Sequence, residues 1–152
     1  CVKQKGMASI DIIGELRSFA QAKGWHFVYG NDQYANYEAG RFKYEPGDLI
    51  LIADLNLSPT YGSGGGIDGL TFTGGIMLGQ KREDTTVSTL DETAGQKYDA
   101  RLKTLLETLT AALGEFSCKH QYDITQSNFR VDINRFDINI DVVAGTITLT
   151  SV

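Results

Sequence analysis

The last third of the chain constrains the fold most. From Thr93 to Phe116, apolar residues recur at helical spacing: Tyr98, Leu102, Leu105, Leu106, Leu109, Ala112, Leu113 and Phe116. An i, i+3/i+4, i+7 series of this length predicts a long helix with a single apolar stripe. The period then changes. In Phe136-Asp-Ile-Asn-Ile-Asp-Val142 the apolar side chains fall at alternate positions, with polar groups between them. A period of 2 belongs to a strand with one dry face and one wet face. Thr146-Ile-Thr-Leu-Thr150 alternates again beyond Ala144-Gly145, which reads as a turn. The expected ending is therefore an antiparallel hairpin, and the helix before it needs a sheet to cover.

The rest of the chain is expected to supply that sheet. Ser9 to Lys23 predicts a first helix, with Ser9 as N-cap and Asp11 and Glu15 near its positive end. Ile12, Ile13, Leu16, Phe19 and Ala20 form its apolar stripe. Gly24 stands where a left-handed residue closes a helix, and Trp25 follows as the apolar residue beyond it. Trp25 to Tyr29 reads as a short strand, with turns at Gly30-Asn31-Asp32 and Pro46-Gly47. Asp48 to Leu57 is the most apolar strand candidate. Ile50 and Ile52 oppose Leu49, Leu51 and Ala53 there, as in a strand buried on both sides. Ser58 to Gly69, with Pro59 and five glycines, reads as a loop. Leu70 to Gln80 is a further strand, in which Gly74-Gly75 suggests a bulge. Tyr122 to Ile133 has room for a short strand. The order predicts an α+β fold: a mostly antiparallel sheet with two helices packed on one face. Residues 1–6 read as a leader or disordered tail, and residues 7–152 as one domain.

Charge narrows the partners. The net charge is −5, and basic residues do not cluster beyond Lys81-Arg82. Phosphate backbones need clustered Lys and Arg, so nucleic-acid recognition is not expected. No apolar run approaches the roughly 20 residues of a membrane span, and no signal-peptide pattern is visible. Two cysteines, Cys1 and Cys118, are too few for a disulfide scaffold. A single bridge between them is possible but unforced. Cys118, at the end of an apolar helix, reads as a core thiol. Cys1 raises a different option, a mature lipoprotein whose first residue carries lipid.

Chemistry-bearing patterns are weak. Gly64-Gly-Gly-Ile-Asp-Gly69 fits the letters of a dinucleotide loop, but a strand-like run follows it where a helix N-terminus would be needed. It reads as a hairpin tip. Asp137-Ile-Asn-Ile-Asp141 copies the first three ligand positions of a calcium loop. Val142 and Thr148 stand where the loop needs Gly and Glu. On a strand, those polar groups form a row about 6.6 Å apart and do not converge on one ion. His26 and His120 are the two histidines, and Cys118-Lys-His120 has no second pair at zinc spacing. No catalytic residue, cofactor or metal is expected. The interface candidates are the aromatic segment Tyr34, Tyr37, Phe42 and Tyr44, and the polar strand face Asp137, Asn139 and Asp141.

Taken in order, these elements resemble the tail terminator, or tail-completion, proteins of long-tailed bacteriophages and related prophage minor tail proteins. In that family a helix like Ser9–Lys23 leads to a strand and an extended arm. A long hairpin with a flexible tip follows, here Asp48–Leu57 and Leu70–Gln80 about the glycine loop. A long helix like Thr93–Phe116 then crosses the sheet, and two strands close the domain. The resemblance implies a non-enzymatic virion protein made in the bacterial host cytoplasm. It would form a six-fold homo-oligomeric ring at the head–tail junction, capping the tail tube and meeting the head connector. Two other classes remain open at this point: a lipid-anchored surface or periplasmic binding module, and a small enzyme with an unrecognised site.

Overall fold

The computed structural model describes residues 9–30, 44–81, 102–132 and 140–152. Two helices and five strands occupy these segments: α1 (Ile12–Ala22), β1 (His26–Tyr29), β2 (Leu49–Tyr61), β3 (Ile67–Lys81), α2 (Lys103–His120), β4 (Tyr122–Asp132) and β5 (Ile140–Ser151). The strands form one sheet in the order β1-β2-β3-β5-β4. Only β1 and β2 run parallel; every other pairing is antiparallel. The fold is α+β.

Local chemistry explains the boundaries of α1. The helix starts later than Ser9 because Asp11 caps it: Asp11 Oδ1 accepts from the Gly14 amide at 3.0 Å. Ser9 acts one step earlier, its hydroxyl accepting from the Asp11 amide at 3.1 Å. At the other end Gly24 takes φ +73°. Its amide donates to the Gln21 carbonyl and the Trp25 amide to the Ala20 carbonyl, the paired bonds of a Schellman closure.

α2 begins at Lys103 among the described residues and runs on to His120, past Gly114. It stops where Gln121 turns left-handed at φ 61°. Its buried stripe is Leu105, Leu109, Ala112, Leu113 and Phe116. These side chains join Ile12, Leu16, Phe19 and Ala20 of α1 over one face of the sheet, formed by Leu51, Ala53, Leu55, Phe72, Ile76, Leu78, Val143, Ile147 and Leu149. The Phe19 and Phe116 rings meet edge to face, 5.5 Å between centroids, and tie the helices together. Outside that contact, Glu115 accepts from Lys23 at 2.7 Å and Lys119 at 2.8 Å.

The opposite face is apolar at one end only. Val28, Tyr44, Ile50, Ile52, Met77, Ile140, Val142 and Ala144 form a second buried cluster there. Ile50 and Ile52 sit here while Leu51 and Ala53 face the helices, so the start of β2 is buried on both sides, as its sequence predicts. Toward the other end the face turns polar, with Thr73 and Thr148 hydroxyls 3.4 Å apart.

Three strand expectations need correction. The chain does not turn at Ala144-Gly145: β5 is one continuous strand, held by β3 on one side and β4 on the other. Gly145 is there for close approach, since a Cβ would sit 2.0 Å from the Asn128 carbonyl oxygen and 2.5 Å from the Phe129 ring. Gly74-Gly75 is not a bulge either, because the β2–β3 register runs through it unbroken and shifts only at Thr60/Tyr61. A Cβ on Gly74 would lie 2.0 Å from the Asp54 carbonyl oxygen, so no side chain fits. Finally, the dry side of the alternating run, Phe136, Ile138 and Ile140, is expected to meet the leucines of the long helix, whereas Ile140 packs in the second cluster and does not face α2. The intervening Phe136 and Ile138 lie outside the described residues.

Candidate functional site

β2 and β3 pair from Leu49↔Gln80 to Tyr61↔Ile67, a far longer hairpin than its neighbours can support. β1 covers β2 only from Ile50 to Ala53. β5 accompanies β3 only as far as Thr71. The last tie is a bond of 2.9 Å from the Leu70 amide to the Ser151 hydroxyl. Beyond it, among the described residues, Thr60–Tyr61 and Ile67–Gly69 pair with no strand but each other.

The turn that closes this projection is built from glycine. The Gly62 amide donates to the Gly66 carbonyl at 2.8 Å, the Gly65 amide donates to the Gly62 carbonyl at 3.0 Å, and Gly65 takes φ +79°. A strand follows the glycines, so the local geometry is a hairpin tip and not a phosphate cradle. Tyr61 and Ile67 face each other across it, 64% and 51% exposed. Two large apolar side chains at a solvated tip form a small apolar knob. The sequence does hold this signal, an apolar residue on each side of a glycine cluster, but a loop over 58–69 conceals the pairing.

The interface candidates read from sequence are placed differently. Tyr44 is 8% exposed, within the second cluster, and its ring lies 4.8 Å from that of His26. It is a core residue and not part of an exposed arm. Asp141 is 2% exposed, so it does not belong to a solvated strand face. The polar–apolar alternation misleads there because β5 is flanked on both edges and buried on both faces. Tyr34, Tyr37, Phe42, Asp137 and Asn139 lie outside the described residues.

The titratable groups serve to fasten elements. His26 meets Asp48 at 3.0 Å, and Asp48 also accepts from the Glu45 amide. That amide bond, followed by His26, holds the Asp48 carboxyl below its usual range. His120 meets Glu15 at 2.8 Å and stacks on Phe116 at 4.5 Å. The Tyr122 hydroxyl donates to the Ser9 carbonyl. Burial, and secondarily the Glu15 charge, push that phenol up to about 12. Cys118 is disulfide-bonded, so it is neither the free core thiol its position suggests nor a nucleophile. The chain's other cysteine, Cys1, lies outside the described residues. Among the described residues, no three His, Cys, Asp or Glu side chains converge as metal ligands, and no helix is long and apolar enough to cross a membrane.

Compared with known proteins, the sequence matches no family model and no curated protein.

Proposed function

We propose that this chain is a structural subunit of a phage or prophage tail, a terminator that closes the tail tube as a ring at the head–tail junction. One observation carries the proposal: the β2–β3 hairpin outruns its neighbours and ends in the exposed pair Tyr61 and Ile67. An isolated domain gains nothing from holding two apolar side chains on a projecting stalk, whereas a subunit that contacts its neighbours does. The two helices on one sheet face, and the long hairpin before α2, also follow the element order of terminator proteins. On this reading the protein is not an enzyme and its partners are its own copies, the tail tube and the head connector.

The test is particle mass in solution with negative-stain imaging, across protein concentration and with purified tube protein. Closed rings are expected, six-fold by the resemblance. A strict monomer under all of these conditions overturns the reading.

A second reading rests on the bond at Cys118. Disulfides persist in oxidising compartments and are rare in the cytoplasm. That favours a surface or periplasmic binding module over a particle assembled in the cytoplasm. Thiol titration of protein directed to the periplasm, unfolded without reductant, separates the two. Two free thiols per chain remove the support for the second reading.

A further inference from the structure

The strand order puts β4 at one edge of the sheet, while at the other β1 covers β2 only from Ile50 to Ala53. Backbone bonds show which groups these edges present. The Gly30 amide donates to the Ala53 carbonyl at 3.0 Å, so Ala53 turns its backbone polar groups away from β3. Antiparallel pairs alternate, so Leu55, Leu57 and Pro59 turn theirs the same way. The Leu70 amide, opposite Pro59, accordingly points away from β2, to the Ser151 hydroxyl. Carried across β3 and β5, that phase makes Thr146 and Ala144 bond to Asn128 and Arg130 of β4. The alternate residues Ser127, Phe129 and Val131 then face outward. Among the described residues, no strand meets the outward backbone groups of Leu55, Leu57, Ser127, Phe129 or Val131.

We infer that the β4 edge of one copy takes the β2 edge of a second copy as an added strand, which deepens the ring reading above and rests on it. Three observations select a second copy as the occupant. The side-chain alternation of the two edges matches. On β2, Leu55 and Leu57 pack toward the helices, while Asn56, Ser58 and Thr60 are exposed. On β4, Phe129 and Val131 pack toward the helices, while Gln126, Asn128 and Arg130 are exposed. Joined, the edges set apolar beside apolar on one face and polar beside polar on the other. Strand direction matches as well. Three antiparallel pairings separate β2 from β4, so the two run oppositely. A rotation about an axis along the strands keeps their directions and keeps the helices on one side, so it brings β4 against a second β2 as an antiparallel pair. Position is the third. β3 and β5 lie between the two edges, so one copy cannot join its own. Such a contact is head-to-tail; it closes into a ring or runs on as a filament. Pro59 has no amide to offer outward, which limits the new ladder on β2 to Leu55 and Leu57.

Hydrogen exchange read residue by residue tests this. The amides of Leu55, Leu57, Ser127, Phe129 and Val131 should exchange fast in dilute monomer, and roughly tenfold slower or more where the wild type assembles. Two proline variants add a second readout, each at a position whose lost amide faces outward, so the ladders within the sheet keep their bonds. Ser127→Pro blocks the β4 edge and Leu57→Pro the β2 edge. Each alone should remain monomeric at concentrations where the wild type assembles. Mixed, they should form a 1:1 dimer and nothing larger by light scattering, because each supplies one open edge. A cooperative urea transition shows that a variant folds; where one does not, the exchange rates of the wild type decide alone. Amides already slow in the monomer or still fast in the assembly, folded variants that assemble as the wild type does, or a mixture that stays monomeric overturn this contact and leave the ring reading standing. A wild type that never self-associates overturns both.

Discussion

The base and the tip of the β2–β3 hairpin obey opposite rules. At the base, Leu51 and Ala53 face the helices while Ile50 and Ile52 face the second cluster, so both sides of β2 are dry. At the tip, Tyr61 and Ile67 are apolar and wet. The same two strands pass from one state to the other without a break in pairing until Thr60/Tyr61. The base is thus specified by burial, where each side chain has a fixed neighbour. The tip is specified by pairing and turn geometry alone, which leaves its side chains available for contacts. Burial specifies one half of the hairpin, and pairing with turn geometry the other.

If that division holds, substitutions should sort by location. The largest expected effect is at the base's helical cover. Leu109 is fully buried against the sheet, so Leu109→Ala should cost about 2–5 kcal/mol, read as a lowered urea midpoint. Leu106, only half-buried at the cluster's edge, should cost less.

Glycines along the hairpin give a sharper contrast. Gly74→Ala must push its new Cβ away from the Asp54 carbonyl oxygen, and should cost at least the 1–3 kcal/mol typical of overpacking, as an order of magnitude. Gly64, at the tip, has nothing within 4 Å of an added Cβ. Gly64→Ala should stay within about 0.5 kcal/mol of wild type. Equal effects in a thermal melt would erase the distinction between base and tip.

Acid should act through the helix pair and spare the tip. Lys119 and Lys23, in that order, hold the Glu115 carboxyl down to about 2, below its ordinary 4.5. A depressed carboxyl adds stability above the ordinary value, and that contribution fades as pH falls from 4.5 toward 2. The urea midpoint of wild type should fall more steeply than that of Glu115→Gln across this window. On the alkaline side the sign reverses. Tyr122 is raised to about 12, so its contribution is whole below 10 and lost as pH climbs from 10 toward 12. Tyrosinate absorbance from one residue should lag behind that of the exposed tyrosines.

The tip's own side chains should also matter little to stability. Tyr61→Ser with Ile67→Ser should move the midpoint by no more than about 0.5 kcal/mol per site, while changing association.

Much of this division was legible in the sequence. The α1 stripe, its Gly24-Trp25 closure, the two-sided burial of β2 and the helix on one sheet face all follow from local pattern, because a single period or one turn residue decides each. The errors share a cause. Alternation around Ile140 to Thr150 shows that a strand exists, but not which strands flank it, so Ala144-Gly145 within β5 resembles a turn. Glycine at 145 and 74 marks close backbone approach, which depends on a neighbouring carbonyl far away in sequence. Tyr44 and Asp141 look like surface residues in the sequence because pattern cannot report what lies over a residue. The tip was hidden for a similar reason: glycine and proline read as loop, although paired strands carry them.

The position of β5 has a consequence for how the chain acquires its shape. It is the last strand in chain order, yet it lies inside the sheet, between β3 and β4. During synthesis β3 and β4 therefore wait beside an empty slot, and their inner edges meet only when β5 emerges. Non-local closures of this kind slow folding and leave strand edges exposed meanwhile. A nascent chain halted before Ile140 would hold the β2–β3 hairpin and both helices without the strand that joins them to β4. Without β5, β4 has no described partner in the sheet, so the order of synthesis leaves the β3–β5–β4 layer to be completed by its last-made strand.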